Sequence, residues 1–340
     1  MTTFVRWGIL STAQIAQDEL LPAYMDAANA EVTAIASSNP KVKDMALKFS
    51  IPKVYESYDE LLKDPDIDAV YIPLPNALHS HWVKRAAEKG KHVLCEKPAA
   101  LTAGEAEEMI EVCKKNSVLF MEAFMYQFHP QHQRVKEIIA SGEIGELKIM
   151  KSSLSFYLED KAGNIRVKPE LGGGSLYDVG CYCIHSIRNV LSAEPSRVYA
   201  SMKKNPDSQV DMSVVGVLDF DNGVTALFDA AMDRTRIDYY EIIGTKGSIR
   251  VPNAFVPHFN NGEALIVINA EDGKYREEKL IGHQYVLQVE YFSRCVLEGK
   301  IPNYMIENTI QNLNVIEACF ESIERKTFVN ISSSHSKITR

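Results

Sequence analysis

Three clusters of residues in this 340-residue chain have the types and spacing to do chemistry. The first is Gly8-Ile9-Leu10-Ser11-Thr12-Ala13-Gln14-Ile15-Ala16, where an apolar strand runs into a helix across small residues. Such a turn brings backbone N–H groups and a helix N-terminus up to a pyrophosphate. The usual G-x-G-x-x-G is S-x-A-x-x-A here, at Ser11, Ala13 and Ala16, with Gly8 the one glycine. The second cluster is Ser37-Ser38-Asn39 with Lys41 and Lys43 after it, at the end of the next strand. A site preferring NAD would place an acid there for the ribose 2′-hydroxyl. Small hydroxyls beside lysines suit a 2′-phosphate instead, so NADP(H) is the expected cofactor and NAD the second choice. The third cluster is Asp178, Tyr182 and His185, whose spacings of four and three put them near one face of a helix. Lys97, in Glu96-Lys97-Pro98, is on its own only a lysine that follows a strand.

The elements that must position these residues fall into two textures. Over the first 125 residues, strand-like runs at Phe4–Leu10, Glu31–Ser37, Lys53–Tyr55, Ala69–Ile72, His92–Glu96 and Val118–Glu122 alternate with helical ones. Ser57 with Glu60 three residues on marks a helix start, and Gly90 marks a helix end. Strands regularly separated by helices imply a parallel sheet covered on both faces, with ligands beyond the strands' carboxyl ends. After Tyr126 the pattern changes. A helix is expected over 129–141, a strand over 147–157, and a helix over 175–191 behind the loop Leu171-Gly172-Gly173-Gly174. Seven strand-like segments then crowd between 196 and 280, many separated by turns such as Asp221-Asn222-Gly223. Helices over about 284–298 and 305–325 and a short strand near 328–331 close the chain. The fold class expected is therefore α/β: a doubly wound parallel sheet, then an α+β domain with a large, mostly antiparallel open sheet. The domains are 1–125, binding dinucleotide, and 126–340, binding substrate and mediating oligomerisation, with the last helices free to pack back on the first.

Composition removes several function classes. A net charge of −8 argues against nucleic acid or an anionic membrane as partner, since both need clustered positive charge. No apolar stretch nears the roughly 18 residues of a membrane span, and no secretory signal is visible, so a cytoplasmic protein is expected. The six cysteines are scattered without a Cys-x-x-Cys pair, which reads as reduced, buried thiols and no metal site.

At Glu96-Lys97-Pro98 the chain resembles the Gfo/Idh/MocA family, the glucose–fructose oxidoreductase and inositol dehydrogenase group. The resemblance spans essentially the whole length. It rests on the turn at Gly8–Ala16, Pro75-Asn76-Ala77-Leu78-His79, Glu96-Lys97-Pro98, Met121-Glu122-Ala123, and Gly172-Gly173-Gly174 leading to Asp178, Gly180 and Tyr182. Any one of these runs could be accidental; their order and separation are specific. The resemblance implies that Lys97 lies between nicotinamide and substrate, before a cis Lys97–Pro98 bond. It implies cofactor contacts from Gly8, Ser11, Thr12, Ala13, Gln14, Ile15, Ser37, Ser38, Pro73, Leu74, Asn76, His79, Glu96 and Lys97. Many members carry Asp-x-Gly-x-His, with the histidine as acid/base. Here Tyr182 holds that place, as in members resembling dimeric dihydrodiol dehydrogenase, NADP-dependent xylose dehydrogenase and glucose–fructose oxidoreductase. Gln127 stands where many relatives have arginine, which removes a fixed charge near cofactor and substrate.

A phenol, with an ordinary pKa near ~10, serves as a base only where a neighbouring cation favours phenolate. Lys97 is the expected cation. Tyr182 then takes a hydroxyl proton as hydride leaves the same carbon, and Asp178 holds a substrate hydroxyl or orients the lysine. His185 is expected to be a helix or pocket residue. Phe156, Tyr157 and Arg166 are candidates to reach substrate, with core or surface roles equally open. The activity expected is NADP(H)-dependent hydride exchange with a sugar, polyol or cyclic diol, by a homodimer or homotetramer. The alternative is a non-catalytic NAD(P)-sensing regulator of the same fold, which would have no need of an acid/base pair. A tightly held cofactor cycling between two sugars is a third reading, weakened by the missing signal peptide and N-terminal arm.

Overall fold

A computed structural model describes residues 4–159, 163–271, 273–302 and 306–331. The chain divides into two compact units, one of Met1–Phe128 with His283–Thr309, the other of His129–Gly282 with Ile310–Arg340.

The first unit is built on six strands: β1 (Val5–Leu10), β2 (Ala30–Ala36), β3 (Lys53–Tyr55), β4 (Ala69–Ile72), β5 (His92–Cys95) and β6 (Phe120–Glu122). They run parallel in the order β3-β2-β1-β4-β5-β6. That order reverses direction between β1 and β4, which opens a crevice at their carboxyl ends. Helices α1 (Leu21–Asp26), α2 (Val42–Lys48), α3 (Tyr58–Lys63), α4 (His79–Glu88) and α5 (Ala103–Lys115) form the crossovers. The strands are nearly continuous apolar runs because both faces are covered. Ser57 caps α3 by accepting the Glu60 N–H, and Thr102 caps α5 the same way through Glu105.

The amino ends of these strands carry a closed set of charges. Arg6 binds Asp68 at 2.7 Å, Lys53 binds Asp64 and Asp66 at 2.8 Å, and the buried Lys91 donates to the carbonyls of Asp64 and Ile67. The chain returns to this unit late: Gln284–Glu298 packs beside β1, where the Trp7 indole donates to Ser293 Oγ at 3.1 Å and stacks near Phe292.

The second unit holds α6 (Pro130–Ala140), then β7 (Leu147–Tyr157), α7 (Cys181–Leu191), and strands β8 (Arg197–Lys204), β9 (Asp211–Asp219) and β10 (Thr225–Ala231). β11 (Asp233–Gly244), β12 (Gly247–Pro252), β13 (Glu263–Ala270) and β14 (Tyr275–Ile281) follow, and α8 (Gln284–Glu298), α9 (Ile306–Arg325) and β15 (Val329–Asn330) end the described chain. The nine-stranded sheet runs β14-β13-β12-β11-β7-β10-β9-β8-β15 and is antiparallel except for β7 with β10. β11 begins at Asp233 and crosses a register shift between Asp233 and Ile237. The expected start of the last helix at Met305 lies outside the described residues.

Alternate residues of this sheet face helices. Ser152 bonds Ser186 of α7 at 3.0 Å, and the Ala200 N–H donates to Ser322 of α9. Val214, Phe228, Tyr240 and Ile242 are buried on that side. The other face is mixed, with Ser153 and Arg234 on Asp229, Lys151 on Glu241, and exposed Tyr199, Val215 and Leu227.

Candidate active site

In the first unit, β1 delivers the turn. Gly8 is required on that strand by packing: a Cβ there would stand 2.7 Å from a methyl of Leu61 on α3. Ser11 continues the pairing by donating to the Ala36 carbonyl, then bends at φ 130° with its Oγ accepting the Ala13 N–H at 3.0 Å. The helix that follows opens as a π-turn over Ala16–Leu20 before becoming α1, with Gln17 tied back to the Thr12 carbonyl. Thr12, Ala13 and Ile15 are half-buried, while Gln14 is exposed and bonded to Asp18.

At the end of β2, Ser37 Oγ accepts from Asn39 N–H and Asn39 Oδ1 accepts from Lys41 N–H. These two side-chain turns leave Ser38, Lys41 and Lys43 exposed. No acid stands between 37 and 43.

After β4, Pro73 and Leu74 are buried, so they can meet a ligand only through small parts of their surface, and Asn76 is half-buried. His79 is fully buried, with Nδ1 2.8 Å from the Pro98 carbonyl oxygen and Nε2 2.7 Å from that of Leu74. Its ring therefore ties the exit of β4 to the residue after Lys97 and is not exposed to a ligand. Burial pushes the His79 imidazolium down to about 4 against the pull of both carbonyls, and the Lys97 charge adds to the effect.

The Lys97–Pro98 bond is cis. Glu96 Oε1 accepts from Tyr71 at 2.6 Å, a phenol that burial first and Glu96 second keep protonated. The buried Glu122, at the end of β6, accepts the Ala99 N–H at 2.9 Å and the Thr309 hydroxyl at 2.7 Å. Lys97 is thus carried on a segment pinned at Pro98 and again at Ala99. Sequence reasoning gave Glu122 no role. The signal available was a carboxylate closing an apolar strand, where an unpaired charge would be costly. Gln127 is buried with no described partner for its Oε1.

In the second unit, the glycine loop crosses the segment before it. Gly173 N–H donates to the Lys168 carbonyl and Gly174 N–H to that of Arg166. Gly174 sits at φ +119°, and a Cβ there would run into the Asp211 carboxylate. That carboxylate, fixed on β9, accepts from Ser175 Oγ at 2.7 Å and Leu176 N–H at 2.6 Å. It fills the helix entrance with a negative charge supplied by the chain. Burial raises the Asp211 pKa against these bonds.

The helix then runs as a π-turn over Leu176–Gly180 before α7, so Asp178 lies in the π-turn and Tyr182 in the first turn of α7. π-turns inside helices often mark functional sites. Asp178 Oδ2 accepts from Arg166 Nε at 2.7 Å. The nearly buried Tyr182 ring meets Phe255 at 5.7 Å between centroids. Phe255 is placed by Asp238, whose carboxylate accepts the N–H groups of Phe255 and Val256. His185 is buried, and burial, with the charges of Arg188, Lys136 and His132, holds it well below its ordinary value. The ring is neutral and belongs to the interior. The structure thus gathers Asp178, Tyr182 and Arg166 around one helix entrance, while Tyr157 is exposed and Phe156 lies with the Arg166 guanidinium 5.6 Å from its ring.

All six cysteines are free and buried, and no group of three or more His, Cys, Asp or Glu among the described residues could hold a metal. No described helix is long and apolar enough to cross a membrane.

Comparison with known proteins matches residues 5–124 to the profile of an oxidoreductase family with an NAD-binding Rossmann fold. Residues 132–250 match the GFO/IDH/MocA C-terminal domain. The chain is 39% identical to D-xylose 1-dehydrogenase (NADP(+)) 2 of Haloferax volcanii, over 96% of this chain and 99% of the relative. It is 31% identical to trans-1,2-dihydrobenzene-1,2-diol dehydrogenase of Xenopus tropicalis, over 86% and 90%. Among solved structures, a 3-ketoreductase from Actinomadura kijaniata, in complex with NADP and TDP-benzene, superposes with a TM-score of 0.89 at 31% identity. It covers 94% of this chain and 98% of that one.

Proposed function

The chain belongs to the Gfo/Idh/MocA family of NAD(P)-dependent oxidoreductases, and from that premise we propose how its own residues carry out the reaction. The protein transfers hydride between NADP(H) and a carbon bearing a hydroxyl or carbonyl group, in a sugar, a polyol or a cyclic diol. The turn residues fit that cofactor: a small-residue helix entrance, and a β2 exit with exposed Lys41 and Lys43 and no acid. Gly8, Ser11, Thr12, Ala13, Gln14 and Ile15 would hold its pyrophosphate, Ser37 and Ser38 its 2′-phosphate, and Pro73, Leu74, Asn76 and Glu96 its ribose and nicotinamide. When bound, NADP(H) accepts or supplies the hydride.

For the chain's own residues, Tyr182 takes the hydroxyl proton in oxidation and returns it in reduction. Lys97 polarises the oxygen, and Asp178 orients the substrate. His79 acts through Pro98, keeping the lysine segment in place. The observation that carries this reading is the pairing of Asp178 and Tyr182 across the π-to-α junction. A cofactor sensor has no use for a carboxylate and a phenol at that spacing.

The test is a screen of aldoses, polyols and dihydrodiols with NADP⁺ and NAD⁺, followed by variants of the best substrate pair. Tyr182→Phe is expected to lower kcat/KM by roughly 10²- to 10⁴-fold, the range for losing a general acid/base. Near wild-type turnover of Tyr182→Phe across pH, with Lys97→Ala inactive, would remove the tyrosine from its role.

The first unit is the dinucleotide-binding part and the second the substrate-binding part. The open, mixed face of the nine-stranded sheet favours a homodimer or homotetramer, testable by light scattering. Six free buried thiols favour a cytoplasmic setting.

A further inference from the structure

Arg166 stands beside the proposed acid/base pair and has no part in the mechanism above. Its segment is anchored on both sides. Asn164 Oδ1 accepts the Arg166 N–H, the Arg166 carbonyl accepts from Gly174, and Val167 packs on the cluster of Leu158, Val210, Met212 and Met232. The side chain leaves this anchored backbone, passes over the Phe156 ring and gives its Nε–H to Asp178. Its side chain remains 40% exposed, and among the described residues no partner binds the two Nη groups. A guanidinium has five donors in a rigid fork, so a single bond at Nε leaves one whole edge for a ligand.

We propose that Arg166 is a specificity-determining residue: its Nη edge donates to one substrate oxygen while the Asp178 carboxylate accepts from a neighbouring hydroxyl. The inference rests on the assignment of Asp178 and Tyr182 to the active site. A fixed donor edge next to a fixed acceptor matches two adjacent hydroxyls, which offer the same alternation of acceptor and donor. Charge narrows the class further. Asp178 offsets the guanidinium, so the pair itself adds no net charge to the site, and the positive charge left there is that of Lys97. The pair therefore suits the hydroxyls of a sugar, polyol or diol rather than serving as a phosphate clamp. The Arg166 guanidinium is raised first by Asp178, against burial, and Tyr182 also acts on it. Arg166 is thereby within electrostatic reach of the phenol and adds a cation from the phenol's own unit.

The test pairs variants with substrates lacking single hydroxyls. The best aldose of the wild-type screen and its monodeoxy analogues are measured with wild type, Arg166→Met and Arg166→Lys. Melting temperature and NADP⁺ affinity are recorded for each. Arg166→Met is expected to raise KM about tenfold or more, as for a lost hydrogen bond to a charged group, with kcat changed far less and NADP⁺ affinity unchanged. For one deoxy position, the penalty seen with wild type, also about tenfold, should vanish in Arg166→Met. Lysine keeps the charge without the fork, so Arg166→Lys should remain impaired in KM.

Deoxy penalties that multiply independently in wild type and variant at every position would overturn the assignment. So would an unchanged KM, or a wild-type preference for the phosphorylated sugar over the free one. If Arg166→Met does not fold, Arg166→Lys carries the same deoxy comparison. Absence of wild-type turnover with every sugar and diol would overturn the functional reading and this inference with it. Turnover without coupling to Arg166 removes this inference alone.

Discussion

The molecule contains two helix entrances of the same design, and they differ in where the anion comes from. Both begin as a loop of small residues, pass through a π-turn and continue as an α-helix, at Ser11–Asp26 and at Gly172–Leu191. At the second, the chain supplies its own carboxylate: Asp211 takes the Ser175 hydroxyl and the Leu176 N–H, and both residues are fully buried. At the first, Ser11 satisfies one amide and the following residues stay half-exposed or exposed. A helix N-terminus attracts negative charge in either case. The filled entrance carries its own anion, and the open one is suited to an anion supplied by a ligand. The glycine content follows from the same difference. Gly174 stands where the Asp211 carboxylate must fit and Gly173 where the loop crosses the Arg166 and Lys168 carbonyls, while alanine and serine suffice where the anion is not part of the chain.

The largest effect that could break this comparison is at Gly174. A side chain there meets both a positive φ and the Asp211 carboxylate, so Gly174→Ala should cost about 3 kcal/mol or more, read from the denaturant midpoint. The matched change in the open turn, Ala13→Gly, should cost less than about 1 kcal/mol. Equal costs would mean that the two entrances are not differently filled.

A second pair of acids sharpens the point through pH. Burial pushes the Asp211 carboxyl up despite the bonds from Ser175 and Leu176. The folded form then binds its proton more tightly than the unfolded one, whose pKa is near ~3.9. Its contribution is fully present below that value and is lost as pH rises through the folded pKa. Asp64 runs the other way. Burial pushes it up too, but Lys53, the Asp66 N–H and Tyr55 outweigh this and hold it at about 2. Its contribution is present above ~4 and is lost as pH falls toward the folded value. Asp64→Asn should therefore cost about 2 kcal/mol at neutral pH and almost nothing near pH 2. Asp211→Asn should remove a slope of opposite sign. Stability measured from pH 2 to 7 separates them, and slopes of the same sign would contradict the account of Asp211.

The parallel sheet was legible because its strands are apolar on both faces and its helices carry caps and glycine stops that act locally. Most of the second sheet was legible from turn residues, but the parallel pairing of β7 with β10 was not, since nothing in an alternating strand names its neighbour. For the candidate site, Lys97, Asp178 and Tyr182 are proposed from motifs whose order is itself information. Asp211 and Glu122 did not come from such motifs, because each accepts from backbone N–H and hydroxyl groups far away in sequence. Asp211 serves Ser175 and Leu176 from β9, and Glu122 joins Ala99 to Thr309. His79 was expected as a cofactor contact, and its ring is instead spent on two carbonyls. A histidine's position in sequence does not reveal which way its ring turns.

The smallest expected effect is at Ser11, and it tests whether the open entrance depends on its ligand. The Ser11 hydroxyl satisfies the Ala13 N–H, while its backbone sits at φ 130°, where only glycine is at ease. Ser11→Ala removes the acceptor and keeps the strained backbone, so the protein alone should lose less than about 1 kcal/mol because water can replace the hydroxyl. Ser11→Gly removes the same bond but relieves the backbone, and its melting temperature should match or exceed that of Ser11→Ala. Both variants should weaken NADP⁺ by about three- to tenfold, since one ordinary hydrogen bond no longer shapes the turn. Thermal melts with and without NADP⁺ give both quantities, because ligand binding raises the melting point in proportion to RT ln(1 + [L]/Kd). A loss of stability in Ser11→Ala as large as that in Gly174→Ala would show an entrance that holds itself together as the other does.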